Sequence, residues 1–279
     1  MTTTLLQRIL LHTPRRQPNL QARNAFSLRA YTGSVSPILR LTRLNRPNAR
    51  QFFTSSQFGQ RHFVQPPRRN GFLDSIPEDT VFWSIIGLNG LVFGMWFMAT
   101  SKYKQERDAS AYKWMNENFT NSWRNLSSGR VWTLLSSAFS HENLGHIFFN
   151  GFTFFFMARP VLSMLGSKAF LALYLGGGIA ANLAAMSWNN VIKGRDVPSH
   201  GASAAVYSVI SFLACVAPTT TFQLYGIIPV PAWLVVAGIF SYDTYSALYD
   251  KRRGTDTAGH VAGLLAGAGY FLGKRFRLF

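Results

Sequence analysis

The chain has a single cysteine, Cys215, in 279 residues. One thiol excludes an internal disulfide framework and a cysteine-type zinc site. Acidic residues are scarce as well. There are 11 Asp+Glu against 28 Lys+Arg, and none lies before Asp74. Lysine is also missing from residues 1–73, which instead hold twelve arginines, from Arg8 to Arg69. Of the net charge of +17, this leader supplies 12 and everything after it only 5. A fold-wide basic face of the kind that grips nucleic acid is not what this partition describes, and no nucleic-acid partner is expected. Arginine-rich, serine-rich and free of acid is the composition of an organelle transit peptide. Leu5–Leu11 can form an amphipathic turn or two, and the segments starting at Arg29 and Arg50 look like matrix-processing sites. The bland alternative is a disordered basic tail that binds RNA or anionic lipid. Residues 1–73 are read as a mitochondrial transit or disordered leader, and 74–279 as a membrane domain.

Charge is also missing from long stretches of the remainder. Thr80–Thr100 is twenty-one residues without a charged side chain, long enough to cross a hydrocarbon core of about 30 Å. Similar runs follow at Asn143–Ala158, Ala169–Ile192, Val197–Tyr242 and Thr257–Gly273. The fourth run, at 46 residues, is too long for one span. Pro218 and the three threonines after it split it into helices at about 200–217 and 224–242. Six spans are therefore predicted, an all-α polytopic membrane bundle. A soluble bundle would place polar residues on one face every three or four positions, which these runs lack. The loop at about 102–140 mixes charge with Trp114, Trp123 and Trp132, the character of a segment at the membrane interface. The bilayer is thus the first partner. Loop charges conflict with those of the leader and leave orientation open.

Polar groups inside spans are expensive and call for an explanation. His141, His146 and Asn150 stand at the second span, Ser203 at the start of the fourth, and His260 at the start of the sixth. Spans two, four and six enter from the same side, so these groups share one layer near one surface. Asn150 lies about 6 Å below His146 on the same helical face. Serine hydrolysis needs this set. Ser203 is the candidate nucleophile and His260 the base that takes its proton and returns it to the leaving amine. His146, Asn150 and the Ser203 backbone N–H are the candidate oxyanion donors. Asp256 reads as a helix-start residue. No carboxylate is expected at matching depth, so the prediction is a Ser–His dyad. Gly259, Gly263 and Gly267 recur at four-residue spacing and permit close approach of the fourth and sixth helices. Tyr207, one turn beyond Ser203, is placed to stack on His260.

At these residues the sequence resembles the rhomboid intramembrane serine proteases. His141, His146 and Asn150 match the pattern His-x4-His-x3-Asn. Gly201-Ala202-Ser203-Ala204 matches Gly-x-Ser-Gly with alanine in the last place. His260, Gly263 and Gly267 match His-x2-Gly-x3-Gly. Tyr207 and the tryptophan-rich first loop match too, over about residues 80–273. With the leader, the chain is similar to the mitochondrial inner-membrane branch. The resemblance implies a six-helix bundle and cleavage of single-span membrane proteins, among them an inner-membrane dynamin-like GTPase, without cofactor or metal. Mitochondrial members often carry an extra span before the core. Only the leader precedes Thr80, so that span is expected to be absent.

Bland readings stand beside these. Ser203 taken alone is a small residue at a helix crossing. The five-residue spacing of His141 and His146 sets them off one another's face, against a shared metal. His141 is a candidate for orienting the first loop, His200 for the interface, and Trp233 and Phe240 for a substrate gate. The competing function is a non-catalytic scaffold or chaperone for transmembrane segments, favoured by Ala204. A carrier would call for inverted repeats, which are not evident.

Overall fold

The computed structural model describes residues 71–224, 227–252 and 254–279. Residues 1–70, and with them nearly all of the leader, lie outside these. A short turn of helix, α1 (Phe72–Ser75), precedes α2 (Glu78–Glu106). Pro77 sets up the start of α2, and Glu78 and Asp79 in its first turn complement the helix dipole. The helix runs six residues past the expected Thr100, because Lys102 and Lys104 are tolerated near a C-terminus. The segment that follows folds into α3 (Ser110–Phe119), α4 (Trp123–Ser127), α5 (Thr133–Ser136) and a 3-10 turn at Ser137–Phe139.

Asn143 opens α6 (Leu144–Leu165), its side chain accepting from the His146 N–H at 2.8 Å. Next, α7 (Ser167–Ser187) continues through a π turn to Ile192. By length and composition, α2, α6 and this extended α7 are each able to cross a membrane. Outward faces of α2 and α6 carry Trp83, Leu91, Phe97, Phe148, Phe149 and Phe152 exposed, the pattern of helices solvated by lipid.

The centre of the bundle is α8 (Ser203–Val216). Along it, Ala204, Ala205, Val206, Val209, Ile210, Phe212 and Leu213 are all buried and supply apolar surface to the core. At fourteen residues α8 rises only about 21 Å, short of a bilayer core. The chain therefore enters the bundle before helix begins. Irregular backbone at such depth needs protein partners, and it has them: Gly201 N–H donates to Ser137 O at 2.8 Å, and the His200 ring stacks on Trp96.

The fifth helix differs from expectation. An antiparallel hairpin, β1 (Thr221–Leu224) and β2 (Ile228–Pro231), occupies the place where it was to start. Pro229 and Pro231 restrict the backbone and remove N–H donors, so α9 (Ala232–Tyr249) begins after them and reaches seven residues beyond Tyr242. Asp256 then caps α10 (Thr257–Arg275), accepting from Gly259 N–H at 2.8 Å as its helix-start reading required. Helix α8 packs most extensively on α10, then on α7 and α6. Apart from the hairpin and an isolated bridge, the described residues are helical or irregular, an all-α polytopic membrane protein.

Candidate active site

Ser203 is the first residue of α8 and His260 lies in the first turn of α10. The close crossing of these helices follows from glycine. A methyl group at Gly263 would overlap the Ala204 carbonyl oxygen, and one at Gly267 the Ser208 carbonyl oxygen. Small residues on α10 thus let backbone meet backbone. The result is a hydrogen bond between Ser203 Oγ and His260 Nε2 at 2.9 Å. Tyr207 packs on the histidine, with ring centroids 4.5 Å apart, but its plane is tilted by 48° rather than stacked.

The other ring nitrogen overturns the expectation that no carboxylate sits at this depth. His260 Nδ1 is 2.8 Å from Asp243 Oδ2, and Asp243 is only 1% exposed. Its second oxygen, Oδ1, accepts from Arg252 at 2.6 Å. A carboxylate only accepts, so His260 Nδ1 carries the hydrogen, and in neutral imidazole Nε2 is then the acceptor for the Ser203 hydroxyl. Asp243 was missed because its charge ended the uncharged run at Tyr242. The signal was available in the prolines that move α9 toward the C-terminus and so place Asp243 inside the helix.

His146 and Asn150 occupy the same helix, and the two are brought to the site in different ways. Gly201 has φ +134°, a conformation that favours glycine, and a methyl there would lie 2.7 Å from the His146 ring. His146 therefore closes over the residue two before Ser203. Asn150 donates from Nδ2 to His146 O at 3.0 Å. One amide hydrogen remains to it. Asn150 also lines a cavity of about 160 Å³ with Asn89, His141, Tyr174 and Ala202.

His141 acts on backbone. Its Nε2 accepts from the Ala202 N–H at 3.2 Å, holding the residue next to Ser203. Burial pushes its imidazole down to about 3, so it stays a neutral acceptor. The spacing that set His141 and His146 apart misled, because α6 starts only at Leu144. His141 precedes the helix and its ring centroid is 4.8 Å from that of His146. His200 joins this cluster, its ring centroid 6.2 Å from that of His146, and half-buried it stacks on Trp96. Ala204, in place of the motif glycine, is buried. Trp233 and Phe240 both lie on the exposed side of α9.

The Rhomboid domain profile matches residues 128–275, which contain every one of these side chains except Asn89 and Trp96. Among similar proteins is an uncharacterized mitochondrial rhomboid protein of Schizosaccharomyces pombe, 26% identical over 75% of this chain and 69% of its own length. The mitochondrial RHOMBOID-like protein 12 of Arabidopsis thaliana is 29% identical over 70% of this chain and 60% of its own. The mitochondrial Rhomboid protein 1 of Saccharomyces cerevisiae is 27% identical over 78% of this chain. The aligned part spans 60% of that yeast protein.

Proposed function

Because the chain belongs to the rhomboid family, we propose that it is an intramembrane serine endopeptidase of the mitochondrial inner membrane that cleaves single-span membrane proteins. The observation that carries this reading is the 2.9 Å contact between Ser203 Oγ and His260 Nε2, side chains 57 residues apart in sequence. Mitochondrial relatives and the arginine-rich leader support the location. Three helices long and apolar enough to cross a membrane, α2, α6 and the extended α7, support multi-pass insertion.

The chemistry follows from the geometry. Ser203 Oγ attacks the scissile carbonyl carbon as its proton passes to His260 Nε2. The carbonyl oxygen gains the negative charge. The Ser203 N–H at the start of α8, where the helix dipole is positive, is the proposed backbone donor to it, with His146 and Asn150 as the proposed side-chain donors. Collapse of the intermediate breaks the C–N bond, and His260 returns the proton to the leaving amine. Water then hydrolyses the acyl-enzyme on Ser203.

Purified protein is expected to cleave a single-span substrate and to react with a fluorophosphonate. Ser203→Ala and His260→Ala should each abolish cleavage, and Ser203→Ala should abolish labelling. Undiminished cleavage in either variant overturns the mechanism. Removing one oxyanion donor, by His146→Ala or Asn150→Ala, is expected to lower kcat by about 10²–10³. A scaffold that binds without cutting would show no labelling in the wild type.

A further inference from the structure

Helix α9 is attached in an unusual way. Its only buried residues are Ala232, Asp243 and Ser246, so no large apolar side chain of this helix is fully buried. Trp233, Leu234, Tyr242, Tyr245 and Leu248 all face outward. Ion pairs from Lys193 and Arg195 to Asp250 tie its far end, but these are open to solvent, which screens them, so they hold it weakly. At the catalytic level the attachment is a carboxylate. An ionised group inside a membrane bundle is costly unless it is paired, and Asp243 is paired on both oxygens, by His260 and by Arg252. Arg252 lies three residues past the end of α9 and is steadied over the Tyr242 ring, 5.4 Å from its centroid. Its charge balances that of Asp243.

We infer that Asp243, held by Arg252, is the positioning residue for His260, and that α9 must be docked for the base to be competent. This rests on the serine-protease reading. Asp243 touches neither the nucleophile nor the expected substrate carbonyl. It accepts from His260 Nδ1–H, which fixes the tautomer and aims Nε2 at Ser203. When the Ser203 proton moves to Nε2, the resulting imidazolium stands beside a carboxylate already in place. Asp243 takes up no proton in the step. Displacement of α9 removes the carboxylate and leaves the ring free to turn or change tautomer, so a substrate that parts α9 from α10 must let it return before cleavage.

The test uses the full-length protein in detergent with a fluorogenic single-span substrate. Asp243→Asn keeps the side-chain shape and is expected to lower kcat by about 10²–10⁴, the upper figure being the cost of the equivalent change in another serine protease. KM and thermal unfolding are expected to stay within about twofold and a few degrees of wild type. The rate of fluorophosphonate labelling should fall in parallel with kcat. Asp243→Glu should recover part of the loss. Arg252→Gln should show an intermediate defect, and the double variant Asp243→Asn/Arg252→Gln should be no worse than Asp243→Asn alone. Wild-type kcat in Asp243→Asn, with Ser203→Ala inactive, overturns this inference alone. Loss of kcat, KM and thermal stability together, with no recovery in Asp243→Glu, also overturns it by making the role purely structural. Undiminished cleavage in Ser203→Ala overturns the serine-protease reading and this inference with it.

Discussion

His141 shows how much one buried side chain can carry without touching the reacting atoms. It is fully enclosed, and its Nε2 accepts the Ala202 N–H, so protonation would both bury a charge and destroy the contact. Its folded-state pKa, near 3, lies below the ordinary value of 6.5. Between those limits the unfolded chain binds a proton that the folded one refuses. This contribution to stability is therefore complete above about pH 6.5 and is lost as pH falls toward 3, by up to about tenfold in the folded-to-unfolded ratio per pH unit. Acid titration of thermal unfolding should show the loss. His141→Gln, which keeps an acceptor for Ala202, should flatten the slope relative to wild type. An identical slope in both would assign it elsewhere. Ser203, His260 and the glycines of α10 were legible as types at given spacings. The work of His141 was not, because its contact with Ala202 joins residues 61 apart in sequence, which no local spacing reveals.

Among the helices, the α8–α10 crossing decides whether the site exists. Gly263 and Gly267 meet carbonyl oxygens of α8 directly, and backbone cannot give way as a flexible side chain does. Gly263→Val is expected to separate the helices, lower the unfolding temperature and remove both cleavage and fluorophosphonate labelling. Gly269→Ala is the matched control, since a methyl there meets nothing within 4 Å. Helix propensity predicts a gain of up to about 1 kcal/mol for it. Calorimetry or thermal scans with parallel labelling separate the two outcomes, and equal behaviour of the variants would refute the crossing argument. The six helical elements themselves were legible from uncharged runs. The limits of α9 were not, because the hairpin turns on two prolines inside an otherwise apolar stretch.

Across the whole molecule, charge and apolarity divide the chain in two. The twelve arginines before Asp74 belong to a segment proposed to be a removable address, while the bundle that follows is nearly balanced. Mass spectrometry of the protein from isolated mitochondria should find a mature N-terminus beyond Arg29 or Arg50, and a chain still starting at Met1 would contradict the transit reading. The sequence alone determined the arginine-rich leader, the uncharged helices, the capping of α10 by Asp256, and the identities of Ser203 and His260. Each of these depends on residue type, run length or short-range spacing. Only the tertiary structure decided that Asp243 and Arg252 join the histidine, that His141 supports Ala202, and that Tyr207 meets its partner at a tilt. Those contacts depend on where helix ends fall and how closely helices cross. A hydrogen bond is set to a few tenths of an ångström, whereas a shift of one residue along a helix moves a side chain by about 1.5 Å and turns it by about 100°.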